Sequence, residues 1–306
     1  MTTTPTANQA PRTDETPAWV PVAAVAVTLV FWASAFVAIR HLGHDFSPGA
    51  LSLGRLLVGA ACLTVVALAR GVQRPSRADV LGIVAIGVLW FGIYNIALNE
   101  GERRIDAGTA SMLLQISPVL IAVMAALFLR ERFTAYLLAG LVVAFGGVAL
   151  IAMSTSPGGS HDTLGVLLCL VSALVYSVSL ILQKPLVARL PAVQITWLAA
   201  TVGVLVCLPF LGTLLTEARA APTSSILWVV YLGVFPTALA FTTYAYALRH
   251  MSASRLGITT YLVPPITILM GVVFLSEAPP SLAYVGGALA LAGVAIARRT
   301  SRRTTA

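Results

Sequence analysis

Few side chains in this sequence have both the chemistry and the placement to act on something other than the fold. Arg55, in SLGRLLVGA, is the lone charge inside an apolar run, about two helical turns from Pro48. A charge at that depth is costly and often functional, although a guanidinium can also snorkel to the outer interface or bind a backbone carbonyl. In VLWFGIYNIALNE, Trp90 and Tyr94 share a face at i, i+4, and so do Asn95 and Asn99. Aromatic faces beside amides suit a partly polar organic solute. Asparagines that only bond neighbouring helices, at about 0.6 kcal/mol each, are the rival reading. In ASMLLQISPV, Ser111, Gln115 and Pro118 fall on one side, and Pro118 frees the Leu114 carbonyl. The stretch TTYLVPP offers Thr259, Thr260, Tyr261, Pro264 and Pro265 in the matching place. Such broken helices read as binding sites or hinges, or as tolerated kinks. Trp32, Ser34, Tyr176 and Ser177 add indole, phenol and hydroxyl groups from two further runs, and Pro236 and Thr237 lie in another.

These groups bind; they do not make or break bonds. The four histidines (His41, His44, His161, His250) lie in loops, and Cys62, Cys169 and Cys207 are scattered through apolar runs, so no metal-ligand spacing occurs. No phosphate-binding Gly-Lys-Ser/Thr loop and no paired mid-span carboxylates are written. An enzyme, a metal and a cofactor are therefore not expected. The candidate substrate-binding set is Trp32, Arg55, Trp90, Tyr94, Asn95, Gln115, Tyr176, Thr260 and Tyr261, with Pro118, Pro264 and Pro265 as hinges.

The elements that must position these residues follow from composition. The chain is 58% apolar and 10% charged, against roughly 25% charged residues in an average soluble domain. Lipid is the natural solvent for most of its surface. Ten apolar runs are long enough to cross a bilayer as helices: 18–39, 48–69, 80–99, 107–129, 135–153, 164–182, 192–213, 225–247, 256–275 and 281–297. Prolines at 48, 75, 157, 191, 222, 279 and 280 punctuate them. With the N-terminus inside, cytoplasmic segments hold fourteen Lys/Arg and external segments four, Arg40, Arg103, Arg104 and Arg219. That bias predicts a multi-pass plasma-membrane protein with both termini cytoplasmic. The net charge of +8 is then a topology signal and requires no nucleic acid. Residues 1–17, with Asp14 and Glu15 against Arg12, are expected to be a disordered cytoplasmic segment and not a signal peptide. The basic tail 298–306 is expected to meet anionic headgroups.

The chain also repeats itself. SPVLIAVMAALFLRER (117–132) and VPPITILMGVVFLSEA (263–278) stand 146 residues apart, with Pro118 over Pro264 and Glu131 over Glu277. The match runs from Asp106/Ser252 to about Ala149/Ala295, and Gly87/Gly233 and Arg103/Arg249 keep the offset. Each copy, 18–153 and 164–297 about a 154–163 external linker, holds five runs. Five is odd, so the second copy enters the membrane inverted, an arrangement that builds secondary transporters with a site between the halves. Gly140, Ala144 and Gly147, repeated as Gly286, Ala290 and Gly293, form small-residue packing faces. Glu131 and Glu277 end their spans at opposite faces, where capping or ion pairing is favoured over proton coupling.

The segments FWASAFVAIR, SLGRLLVGA, AGTASMLLQISPVLIAVMAALFLRERFT and SASRLGITTYLVPPITILMGVVFLSEAP resemble the EamA-like transporters of the drug/metabolite transporter superfamily. The resemblance covers roughly residues 18–298. It implies an all-α, ten-helix inverted-repeat membrane fold with a central cavity lined by runs 1, 3, 4, 6, 8 and 9. It also implies export of amino acids, related metabolites or drugs by alternating access, though some relatives import. Trp32 and Arg55 fall where relatives often carry tryptophan and arginine. The segment NEGERRIDAG is more charged than that family pattern leads one to expect. The expected partners are a small-molecule substrate and the lipid bilayer, for a monomer or homodimer. A facilitative uniporter or importer is the alternative function. Proton coupling, if present, falls to an end-of-span acid: Glu100, Glu102 or Glu277.

Overall fold

The computed structural model describes residues 19–128, 135–153, 162–251 and 253–297. Residues 1–17, Glu131, most of the 154–163 linker and the tail 298–306 lie outside the described residues. Every regular element among the described residues is helical. Six helices are long and apolar enough to cross a membrane: α1 Trp19–Leu42, α2 Pro48–Arg70, α3 Arg77–Arg104, α6 Thr163–Val187, α7 Ala192–Ala220 and α8 Thr223–His250. Four further helices are apolar but shorter in their described apolar stretches: α4 over 107–128, α5 Ala135–Met153, α9 over 253–275 and α10 Ser281–Ala297. The chain is a multi-pass membrane protein.

Local chemistry sets the helix ends. Ser76 and Asp79 form a reciprocal capping box at the start of α3. The Asp106 carboxylate accepts from Thr109 N at 2.8 Å to start α4, and Asp162 accepts from Gly165 N at 2.9 Å to start α6. Pro48 sits at the first turn of α2, where its missing N–H costs nothing. Several helices outrun the apolar stretches that announced them. The run expected over 80–99 extends over Arg77–Arg104, and that over 192–213 reaches Ala220. Hydropathy detects only the lipid-soluble part of a helix. Its polar last turns, such as NEGERR, keep their hydrogen bonds beyond it.

The halves deviate from α geometry in the same places. A π-helical turn covers Gly87–Ile93 in α3 and Gly233–Leu239 in α8. A 3₁₀ turn covers Leu114–Ile116 in α4 and Thr260–Leu262 in α9. Both pairs are separated by 146 residues. Packing is reciprocal as well. A side chain at Gly87 would meet Val202 of α7, and one at Gly233 would meet Val58 of α2, each Cβ at 2.5 Å from the other. Likewise α5 and α10 lie backbone to backbone. A Cβ on Gly147 would fall 2.5 Å from the Gly286 carbonyl oxygen, and one on Gly293 would fall 2.6 Å from that of Gly140. Contacts exchanged in this way are what a two-fold axis between the halves produces.

Candidate substrate-binding site

Both π turns are held by a polar side chain. In α3, Asn95 Nδ2 donates to the carbonyls of Trp90 (3.1 Å) and Phe91 (3.0 Å). In α8, Thr237 Oγ1 donates to the Leu232 carbonyl at 2.8 Å. A wide turn leaves carbonyls that a regular ladder would fill, and in a membrane they need partners. Thr237 Oγ1 also accepts from Arg55 Nε at 3.1 Å, tying α2 to the turn in α8. Arg55 is buried at 4% exposure. Among the described residues no carboxylate lies within 4.0 Å of it.

The proline breaks are closed differently in the two halves. Ser117 Oγ donates at 2.6 Å to the Leu114 carbonyl that Pro118 frees. Pro264 likewise frees the Thr260 carbonyl, which accepts from Gln115 Nε2 of the first half at 3.1 Å. Gln115 Oε1 is buried and without a hydrogen-bond partner.

These side chains meet at a cavity of about 50 Å³, room for a few water molecules. Arg55, Gln115, Ser117 and Thr260 supply its polar wall, and Trp32, Phe36, Tyr94, Tyr176 and Phe241 its aromatic one. Arg55 is the one charged group among the lining residues. One end is plugged by packed rings. Trp32 lies 4.6 Å from Tyr244, and Trp90 lies 4.9 Å from Phe241 and 5.1 Å from Tyr176, centroid to centroid. The hydroxyls of Tyr176 and Tyr244 are 2.5 Å apart. Toward the other end, one residue beyond the lining Ile39, Arg40 Nε pairs with Glu277 at 3.1 Å. Its Nη1 donates to the carbonyls of Glu102 (2.9 Å) and Arg103 (3.1 Å), closing the end of α3. Lys184 does the same in the other half, donating at 2.7 Å to the Leu248 and Met251 carbonyls at the end of α8.

Of the residues singled out from sequence, Trp32, Arg55, Tyr94, Gln115, Tyr176 and Thr260 face this cavity. Trp90 belongs to the ring cluster that plugs it. Asn95 points back into its own helix, and Tyr261 packs against the core beside the cavity wall. Phe241 and Tyr244 were not foreseen. The repeat carries the signal, since they stand 146 residues after Asn95 and Leu98 on α3, and Leu98 lines the cavity.

Comparison with known proteins agrees with this architecture. A crystal structure of a protein 22% identical in sequence superposes with a TM-score of 0.63, covering 91% of this chain and 96% of that one, which speaks to the fold. A Streptantibioticus cattleyicolor protein named "Probable terminal-alkyne amino-acid exporter" is 38% identical over 276 residues, 90% of this chain and 92% of that relative. A Bacillus subtilis protein named "Uncharacterized transporter YdfC" is 32% identical over 266 residues, 86% of each chain. The profile of the EamA-like transporter family matches twice, at residues 19–153 and 163–299. The chain belongs to the EamA-like transporter family.

Proposed function

We propose that this protein is a secondary transporter of the cell membrane that exports an amino acid or related small metabolite by alternating access. The observation that carries the reading is Arg55, a buried guanidinium with no carboxylate partner among the described residues, on the wall of an aromatic cavity between the halves. A substrate carboxylate would complete its hydrogen bonds in the bidentate geometry that arginine favours. The rings would take an apolar side chain, and Gln115 Oε1 is an acceptor placed for an ammonium group. The name of the Streptantibioticus cattleyicolor relative, an amino-acid exporter, supports the same substrate class.

In this reading ten helices cross the membrane as two inverted repeats, 18–153 and 164–297, with both termini cytoplasmic. Helices α4 and α9 bend at Pro118 and at Pro264–Pro265. The ring plug and the Arg40–Glu277 pair lie toward opposite ends of the cavity and open in alternation. The test is counterflow in proteoliposomes. Vesicles preloaded with unlabelled amino acid should accumulate a labelled one only when they contain the protein. Equal uptake by protein-free vesicles across a panel of amino acids would end this reading. Uptake following the substrate gradient alone, indifferent to an imposed pH gradient, would identify a uniporter.

A further inference from the structure

Glu102 is fully buried, at 0% exposure, and neither carboxylate oxygen has a hydrogen-bond partner. It lies on the stripe Tyr94–Leu98–Glu102 of α3, one helical turn beyond the last of these to line the cavity. The charged groups whose fields act on it come from α1, α2 and the ends of α4 and α9. They are Arg40 of α1, Arg55 of α2, Asp106 at the start of α4 and Glu277 after α9. Cys169 of α6 and Tyr94 of its own helix complete the titratable set. Neither cation pairs with the Glu102 carboxylate within 4.0 Å: Arg40 is engaged on Glu277 and the α3 carbonyls, and Arg55 bonds Thr237 through Nε. A carboxylate stripped of water and given no donor is among the costliest groups to bury, whereas the neutral acid is far cheaper.

We propose that Glu102 is the proton-carrying residue of this transporter, protonated when the cavity is empty and deprotonated when an amino acid occupies it. The inference rests on the transport reading above and adds its coupling. With the cavity empty, Arg55, bonded to Thr237, is the one charge on its wall, and a neutral Glu102 adds none. A zwitterion brings no net charge, but its carboxylate engages Arg55 and leaves its ammonium unmatched. Release of the Glu102 proton supplies the negative charge that the ammonium lacks. Substrate and proton therefore alternate on the same buried charge balance, which is the logic of antiport: a proton enters as a substrate leaves. Asn99, one turn earlier, donates to Ser52 Oγ at 2.9 Å and holds α3 against α2 beside Arg55.

The charge state is tested without any substrate. The purified protein at neutral pH should show a carboxylic-acid C=O infrared band that E102Q lacks. An identical spectrum in the two proteins overturns the proposal. The coupling is tested in proteoliposomes loaded with a pH dye, using 2-aminopent-4-ynoate as the probe amino acid. The wild type should exchange probe for probe and move protons against net probe flux. E102Q, fixed in the neutral form, should weaken the exchange and lose both the proton movement and accumulation driven by a pH gradient, and E102D should restore all three. Proton movement that survives in E102Q, or net probe flux without proton movement in the wild type, refutes the assignment. So does full-rate exchange in E102Q, because a neutral amide cannot supply the charge that a bound ammonium needs. Absence of exchange in the wild type strikes the transport reading instead, and the infrared band still reports on Glu102 independently.

Discussion

Among the described residues Arg55 uses one of its five N–H donors, at Thr237. The remainder are what a carboxylate would engage. Arg55→Ala should weaken binding of an amino acid about 10- to 100-fold, the value of a hydrogen-bonded charge. Arg55→Lys should recover only part of it, because an ammonium lacks the fork. Equilibrium binding to detergent-purified protein reads both. Gln115→Ala removes about 1 kcal/mol of contact, roughly five-fold in apparent affinity, while the variant still inserts and purifies like the wild type. Normal transport by Gln115→Ala would mean the pocket lies elsewhere. Arg55 and Gln115 were legible in the sequence because a polar atom deep in an apolar run has to be explained. Phe241 and Tyr244 were not, because a ring inside an apolar helix is what any membrane core contains. The burial of Glu102 was hidden too. NEGERR reads as a solvated helix end, and only the packing of α1, α2 and α6 around it takes it out of water.

At the scale of the helix, prolines announce themselves and wide turns do not. The 3₁₀ turns at Leu114–Ile116 and Thr260–Leu262 fall where Pro118 and Pro264 deny a donor to the ladder. The π turns in α3 and α8 leave no trace in composition, since one extra residue per turn changes neither hydropathy nor length. Gly87 and Gly233, shared at the repeat offset, mark where each begins. Pro264→Ala restores one N–H in α9 and closes one of its two ladder gaps, while Pro265 keeps the other. Part of the roughly 3 kcal/mol that an interior proline costs would return as stability. The expected outcome is a higher unfolding temperature with slower turnover, read by thermal melting and vesicle counterflow on the same preparation. A variant that is stabilised yet transports at full speed would show that α9 does not bend there.

Over the whole molecule, the contact between α5 and α10 leaves no room for a side chain. Gly147→Leu places a branched chain against the Gly286 carbonyl and the Ala290 backbone, and overpacking of that kind costs about 1–3 kcal/mol or more. The yield of folded protein should fall sharply, while the function of what folds is spared, because neither helix touches the cavity. Reporter tags on the two chain ends should both be cytoplasmic. Opposite compartments would refute the inverted arrangement. The Gln115 amide reaches from one copy to the carbonyl that Pro264 frees in the other, and this makes it a clutch between two levers. Neither bend has an energy of its own, because straightening α9 withdraws the acceptor that steadies α4. A double-mutant cycle of Gln115→Ala with Pro264→Ala should therefore give a sum unlike its parts, the thermodynamic signature of duplicated halves that turn together.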